Sequence, residues 1–297
     1  MNRRLTNAVL HDLADIAEQA ARSAGEIIVA CRQEDIVPQH KQVGDSVASQ
    51  VVTEVDYLAE DAIRTFLQPT CDTYGLALLT EETADDGRRH DRPAFWCVDP
   101  LDGTQSFVDG TAGYAVSIAL VARDATPLIG IVVDPVEAVT YRAVRGEGAS
   151  RNGAPLAMPV LDPRQPLSLQ ADSSFRQHHW RQATESRLSG IAERLGMPGS
   201  TVEYRTGAVM NACRVLENAN RCYFKYPRAG AAGGSLWDYA ATACLFNEVR
   251  AFASDLMNGQ LDLNREDSTF MNHRGVLFAS EQRIAEGILA LYTELAD

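Results

Sequence analysis

The sequence predicts an α+β fold. Two long stretches with helical apolar spacing come first, three β-type runs follow in tight succession, and helical and strand-like segments alternate through the second half.

Taking the elements in order, Leu10, Leu13, Ile16, Ala17, Ala20, Ala24, Ile27 and Ile28 recur at helical spacing from Val9 to about Ile28. Residues 34–50 are polar, with Pro38, Lys41 and Gly44, and read as a connection whose length also invites the reading of a hairpin over a functional site. Val55, Leu58, Ala59, Ala62, Ile63, Phe66 and Leu67 then define a second amphipathic helix, with Thr53 and Asp56 at capping-box-like spacing. Tyr74 to Leu79 reads as a short strand, followed by Thr80-Glu81-Glu82-Thr83 and a charged loop. A central strand begins at Phe95.

Ala115–Ala122, Leu128–Val133 and Thr140–Val144 are separated by turns too short for crossovers, which predicts an antiparallel meander. Gly146, Gly148 and Asn152-Gly153 supply the closing turns. The proline-rich segment from Pro155 to Pro166 divides the chain into an N-terminal α+β unit, 1–157, and a C-terminal α/β unit, 158–297. The second unit carries a strand at 167–170, helices at about 176–195 and 206–217, and a strand at 221–226. A glycine-rich loop, 227–235, leads into an alanine-rich helix at Trp237-Asp238. Short strands near Ala251 and Val276 and a last helix from Glu281 complete the pattern.

The 297 residues, 45% hydrophobic and 23% charged, describe an ordinary globular chain with room for a large core. A net charge of −13 argues against general affinity for nucleic acid backbones, yet a small anion remains acceptable if metal ions invert the local field. Six cysteines without a C-x-x-C pair read as reduced packing residues of a cytoplasmic protein. The histidines show no ligand spacing, and adjacent His178 and His179 should diverge on a helix. Asp12, Asp15 and Glu18 interrupt any signal-peptide apolar region, and no run reaches transmembrane length.

The chemistry concentrates at one strand tip. Phe95-Trp96-Cys97-Val98 runs into Asp99-Pro100-Leu101-Asp102, and Gly103-Thr104 supply a turn and a helix start. Two carboxylates at a strand end suit a hard cation, and a pair of close ions requires a shared carboxylate. Amides at the helix start can hold an anion such as phosphate. The pattern points to metal-assisted phosphate chemistry. Taken alone, Asp56 reads as a helix-start carboxylate, and Glu81-Glu82 as solvated acids.

Together, Val52-Thr53-x-x-Asp56, Glu81-Glu82, Asp99-Pro100-Leu101-Asp102-Gly103-Thr104 and Trp237-Asp238-x-Ala-Ala resemble the inositol monophosphatase family of metal-dependent phosphatases, in order and over nearly the whole chain. The resemblance implies an α-β-α-β-α sandwich with mixed and antiparallel sheets. It implies two or three Mg²⁺ ions: Glu81, Asp99 and the Leu101 carbonyl for one, Asp99, Asp102 and Asp238 for a second, and Glu81 again for a weaker third. It assigns Thr104 and Asp56 to activation of the attacking water, the amides of Gly103 and Thr104 to a phosphate oxygen, and sensitivity to Li⁺. One departure follows the last motif, where the family's Ala-Gly-Gly turn is replaced by Asn247-Glu248-Val249-Arg250-Ala251.

Inositol-type members carry a glutamate shortly before Trp-Asp. This chain has Tyr223-Phe224-Lys225-Tyr226-Pro227-Arg228 there, which is similar to the aromatic and basic stretch of the 3′(2′),5′-bisphosphate nucleotidases of the same superfamily. Lys225 and Arg228 are therefore expected to take a second phosphate and Tyr239 to stack on adenine. The corresponding activity is hydrolysis of 3′-phosphoadenosine 5′-phosphate to AMP, with inositol monophosphate or fructose 1,6-bisphosphate hydrolysis as the alternative. A non-catalytic metal-binding protein would be expected to lack one of these groups. The expected partner is a small phosphate ester, not nucleic acid or membrane, and relatives of both kinds leave monomer and homodimer open.

Overall fold

A computed structural model describes residues 4–33, 39–40, 51–52, 54–158, 160–205, 207–230 and 233–296. Helices α1 (Asn7–Gln33) and α2 (Glu54–Tyr74) pack together on one face of a seven-stranded sheet. The strands of that sheet are β3 (Ala77–Thr80), β4 (Ala94–Asp102), β5 (Ala115–Ala122), β6 (Pro127–Asp134), β7 (Val139–Val144), β8 (Gly148–Arg151) and β9 (Ala154–Pro155), adjacent in that order. Only the β3–β4 pair is parallel among them. A separate pair, β1 (Gln39–His40) with β2 (Val51–Val52), is antiparallel, and the rest of the 34–50 segment lies outside the described residues.

The opposite face of the large sheet is covered by α5 (Ala208–Glu217) and α6 (Leu236–Glu248). These two helices also pack on a five-stranded mixed sheet of order β11-β10-β12-β14-β13. Its members are β10 (Leu167–Asp172), β11 (Ser200–Arg205), β12 (Arg221–Lys225), β13 (Phe252–Ser254) and β14 (Val276–Ala279). On the far side of that sheet lie α4 (Arg181–Arg194) and α7 (Gln282–Ala296). The layers alternate α-β-α-β-α, as the resemblance implies.

Having helices on both faces explains why β4, β5 and β6 read as almost unbroken apolar runs. Ala94, Trp96 and Val98 turn toward α1 and α2, whereas Phe95 and Cys97 turn toward α5 and α6. The small residues of α6 let it approach β6 closely. A side chain at Gly130 would sit 2.3 Å from the Ala241 carbonyl oxygen. The boundary read at 157/158 falls between β9 and β10, but residues from both sides share the core around α5 and α6.

Several local expectations differ from the structure. Helix α2 continues through Pro69 to Tyr74, since Leu67, Thr70 and Cys71 still face the core; Gly75, at φ 68°, ends it. The strand therefore begins later, at Ala77. Strand β11 escapes a search for apolar runs because it mixes Thr201, Glu203 and Arg205 into a partly exposed edge. His178 and His179 precede α4 rather than lying in it, and their rings stack at 4.5 Å. Beyond α6, Arg250 takes the left-handed conformation at φ 59°, and the Ala251 amide donates to the Phe246 carbonyl; the turn keeps its shape without glycine. All six cysteines are buried and free. No helix among the described residues is long and apolar enough to cross a membrane.

Candidate active site

Strand β4 delivers the acids by two pairings. On its parallel side the Glu81 amide donates to the Val98 carbonyl at 3.2 Å, extending the β3 ladder one step and setting Glu81 beside Asp99. On its antiparallel side Asp99 pairs with Ser117 and Asp102 with Ala115. Pro100 and Leu101 thus oppose the single residue Val116, forming a bulge that accommodates a residue with no N–H and re-aims the strand end. The Leu101 amide donates to Asp99 Oδ1 at 3.0 Å, and the Thr104 hydroxyl donates to the Leu101 carbonyl at 3.1 Å. Gly103, in the left-handed region at φ 81°, starts the short helix α3 (Thr104–Asp109).

The other wall is made from helix starts. The first amides of α5 hold Asp102: Ala208 donates to Oδ1 and Val209 to Oδ2, each at 3.0 Å. Gly207 makes this approach feasible, with φ 85° and a Cβ position 2.3 Å from the Gly113 carbonyl oxygen and 2.8 Å from Asp102 Oδ2. At α6 the Ser235 amide donates to Asp238 Oδ2, so Asp238 is both a capping group and a site acid. Ser117, opposite Asp99 on β5, donates to the Trp237 carbonyl at 3.1 Å and ties the start of α6 to the acidic strand.

One oxygen from each of Asp99, Asp102 and Asp238 lies within 4.8 Å of the others. Glu81 is hydrogen-bonded to Asp99 instead of joining that group of three. Asp99 and Asp102 are 2% and 6% exposed. Burial, then the charges of Glu81, Asp102 and Asp238, hold Asp99 well above the usual carboxylate range. Burial and Asp238 push Asp102 up to about 8 against the pull of the two α5 amides. Asp238 is raised by burial, and Lys225 opposes the rise. For Glu81, desolvation by the surrounding walls is joined by repulsion from Asp238, Glu82 and Asp56. Its own surface is open to solvent. A cluster of oxygen donors that resists full ionisation on its own is the donor set a hard divalent cation stabilises.

Glu60, to which no role is assigned from the sequence, also holds the site. Buried on α2 one turn beyond Asp56, its carboxylate accepts from the Glu82 amide at 3.1 Å, Arg64 at 3.1 Å and the Thr83 hydroxyl. It therefore fixes the loop carrying Glu81 to the helix carrying Asp56. A glutamate at i+4 from Asp56 was the available signal, and Gly207 before an apolar-periodic helix was another.

The residues expected to form a second-phosphate subsite have partners of their own. Lys225 lies near Asp102 and Asp238, and its Nζ pairs with Asp172 Oδ2 at 2.7 Å. Burial works against its charge; Asp172, then Tyr239 and Asp238, more than offset this and hold its pKa well up. Arg228 is exposed past the end of β12, where His178 feels its charge. Tyr239 is 1% exposed, stacks on Phe278 at 6.2 Å and has its hydroxyl against Gly234, so no face is offered to adenine.

A layered α-β-α-β-α fold with an acidic cluster between a strand bulge and a helix start defines the class of metal-dependent phosphatases. Within it, the chain belongs to the inositol monophosphatase family, whose profile matches residues 9–296. It is 30% identical to the Nus factor SuhB of Pseudomonas aeruginosa over 248 residues, 83% of this chain and 86% of that protein. The crystal structure of the extragenic suppressor protein suhB from Bartonella henselae is similar at a TM-score of 0.74 and 20% identity, over 95% of this chain and 99% of that one. The inositol monophosphatase of Anabaena (Nostoc) sp. PCC 7120 gives a TM-score of 0.71 at 19% identity, over 96% of both chains.

Proposed function

We propose that this chain hydrolyses a phosphate monoester of a small polyhydroxylated molecule, with inositol monophosphate closer to its preference than a 3′(2′),5′-bisphosphate nucleotide. The cluster of Asp99, Asp102 and Asp238 carries the reading. On this reading Glu81, Asp99 and the Leu101 carbonyl would hold one Mg²⁺, and Asp99, Asp102 and Asp238 a second; Glu81 would also serve a weaker third. Bound there, Mg²⁺ neutralises phosphate oxygens and makes water a better nucleophile. The Thr104 hydroxyl, which donates to the Leu101 carbonyl, would rotate to accept a hydrogen bond from the attacking water and pass its own proton to the Asp56 carboxylate as the water gives up its proton to the Thr104 oxygen. First-turn amides at Gly103 and Thr104 hold a phosphate oxygen. Activity is expected to be Li⁺-sensitive.

The pairing of Lys225 with Asp172 and the burial of Tyr239 support a monoester over a bisphosphate nucleotide. The nucleotidase reading keeps one observation in its favour: the Lys225 charge is felt by both Asp102 and Asp238. Phosphate release with Mg²⁺ from inositol 1-phosphate, 3′-phosphoadenosine 5′-phosphate and fructose 1,6-bisphosphate separates the two. Inositol 1-phosphate, the monophosphate, is expected to show the highest kcat/KM. A preference for either bisphosphate would reverse the choice.

A further inference from the structure

On β10, Ser168, Gln170 and Asp172 alternate with Leu167, Leu169 and Ala171, whose side chains join the apolar core on the α4 and α7 side. Asp172 ends this polar row, and both of its carboxylate oxygens have partners. Asn211 Nδ2 donates to Oδ1 at 3.0 Å, the Tyr223 hydroxyl donates to the same oxygen at 3.3 Å, and Lys225 pairs with Oδ2. Asn211 belongs to α5, whose first amides hold Asp102, so the ion pair and a metal-binding acid share one support. The Lys225 and Asp172 side chains are 28% and 21% exposed, so both are partly open to solvent. Lys225 Nζ also lies 5.9 Å from the centre of the Tyr239 ring, next to Asp238 in sequence.

We infer that Asp172 determines specificity: by pairing with Lys225 it turns a cationic subsite beside the acidic cluster into a dipolar one, which accepts hydroxyl groups and disfavours a second phosphate. The inference rests on the monoesterase reading above. An unpartnered ammonium would offer a second phosphate charged hydrogen bonds in a partly desolvated place. With Asp172 in contact, the same phosphate must displace a carboxylate or lie beside it, and like charges at that range repel. A hydroxyl meets neither obstacle, since it accepts from the ammonium and donates to the carboxylate. Asp172 lies near enough to Asp238 to add to the rise of its carboxyl, so the ion pair stands beside the acidic cluster.

Asp172→Asn tests this directly. Asparagine keeps an oxygen for Asn211 and Tyr223, preserves the shape and removes the charge. Binding of inositol 1-phosphate and 3′-phosphoadenosine 5′-phosphate is measured by calorimetry with Ca²⁺, beside phosphate release with Mg²⁺ and a thermal melt. The ratio of bisphosphate to monophosphate affinity is expected to rise about 10- to 100-fold in Asp172→Asn, and the double variant Asp172→Asn/Lys225→Met is expected to lose that gain. An unchanged ratio in a folded Asp172→Asn protein would overturn the inference, as would a gain that survives removal of Lys225. Wild-type binding with the expected shift but no phosphate release would support the subsite and sink the monoesterase reading instead.

Discussion

Glu81, Asp99 and Asp102 leave the ends of two neighbouring strands, placed by a backbone ladder and a proline bulge. Asp238 is held by a capping contact at its own helix start, and Asp172 and Lys225 pair across the ends of two neighbouring strands of the other sheet. The first wall is held mainly by local backbone pairing. The second depends on close approach between elements distant in sequence. On the proposed function this difference separates two jobs: the strand wall, joined by Asp238, would hold metal, and Asp172 and Lys225 would set what lies beside the phosphate. Asp102 joins them, since it leaves the first wall and ends on the amides of the second.

The largest effect is expected where the walls meet. Gly207→Ala must relieve contacts at 2.3 Å and 2.8 Å with Gly113 and Asp102 and adopt a left-handed φ. We expect a loss of about 2–3 kcal/mol of stability and most of the phosphatase activity. Chemical denaturation beside a rate assay checks this, and an unperturbed variant would mean that the α5 amides do not govern Asp102.

A second effect follows from the crowded acids. The Asp102 carboxyl stands at about 8 in the fold against an ordinary value of 3.8, so between those values the metal-free fold binds more protons than the unfolded chain. Its contribution to stability is present at low pH and is lost as pH rises through that window. Without divalent ions, the Tm should therefore be lower at pH 8 than at pH 5, and Mg²⁺ should raise it more at pH 8. Equal Mg²⁺ shifts at both values would contradict the assignment.

Glu60→Gln probes the support of the strand wall. It weakens the contacts that fix the Glu82-Thr83 loop while preserving volume, so Mg²⁺ affinity should fall about 10-fold or somewhat more with a smaller change in Tm. Mg²⁺ affinity equal to wild type would show that Glu81 is positioned by the β3–β4 ladder alone.

The strand wall was largely legible in the sequence, because an apolar run ending in Asp99-Pro100-Leu101-Asp102 is a local signal. Helix phases and the meander were legible for the same reason. The second wall was harder. Nothing local shows that Lys225 finds Asp172, which depends on the pairing of β10 with β12, or that Tyr239 packs inward on Phe278, which depends on how the small sheet faces α6. Glu60 escaped notice because a glutamate on an amphipathic helix usually faces solvent. The turn at Arg250 shows a limit of another kind: a left-handed position can be occupied by arginine when the surrounding chain fixes it.

Calorimetric titration of Mg²⁺ into the wild-type protein and Asp99→Asn tests the central claim most directly. Asp99 is shared between the two proposed ions and is crowded by three other carboxylates, so its neutralisation should weaken both sites without unfolding the chain. The prediction is saturable Mg²⁺ binding by the wild type, and binding weakened at least about 10-fold in a folded Asp99→Asn protein. Equal affinity in the two proteins, or wild-type phosphate release in excess chelator, would contradict the account.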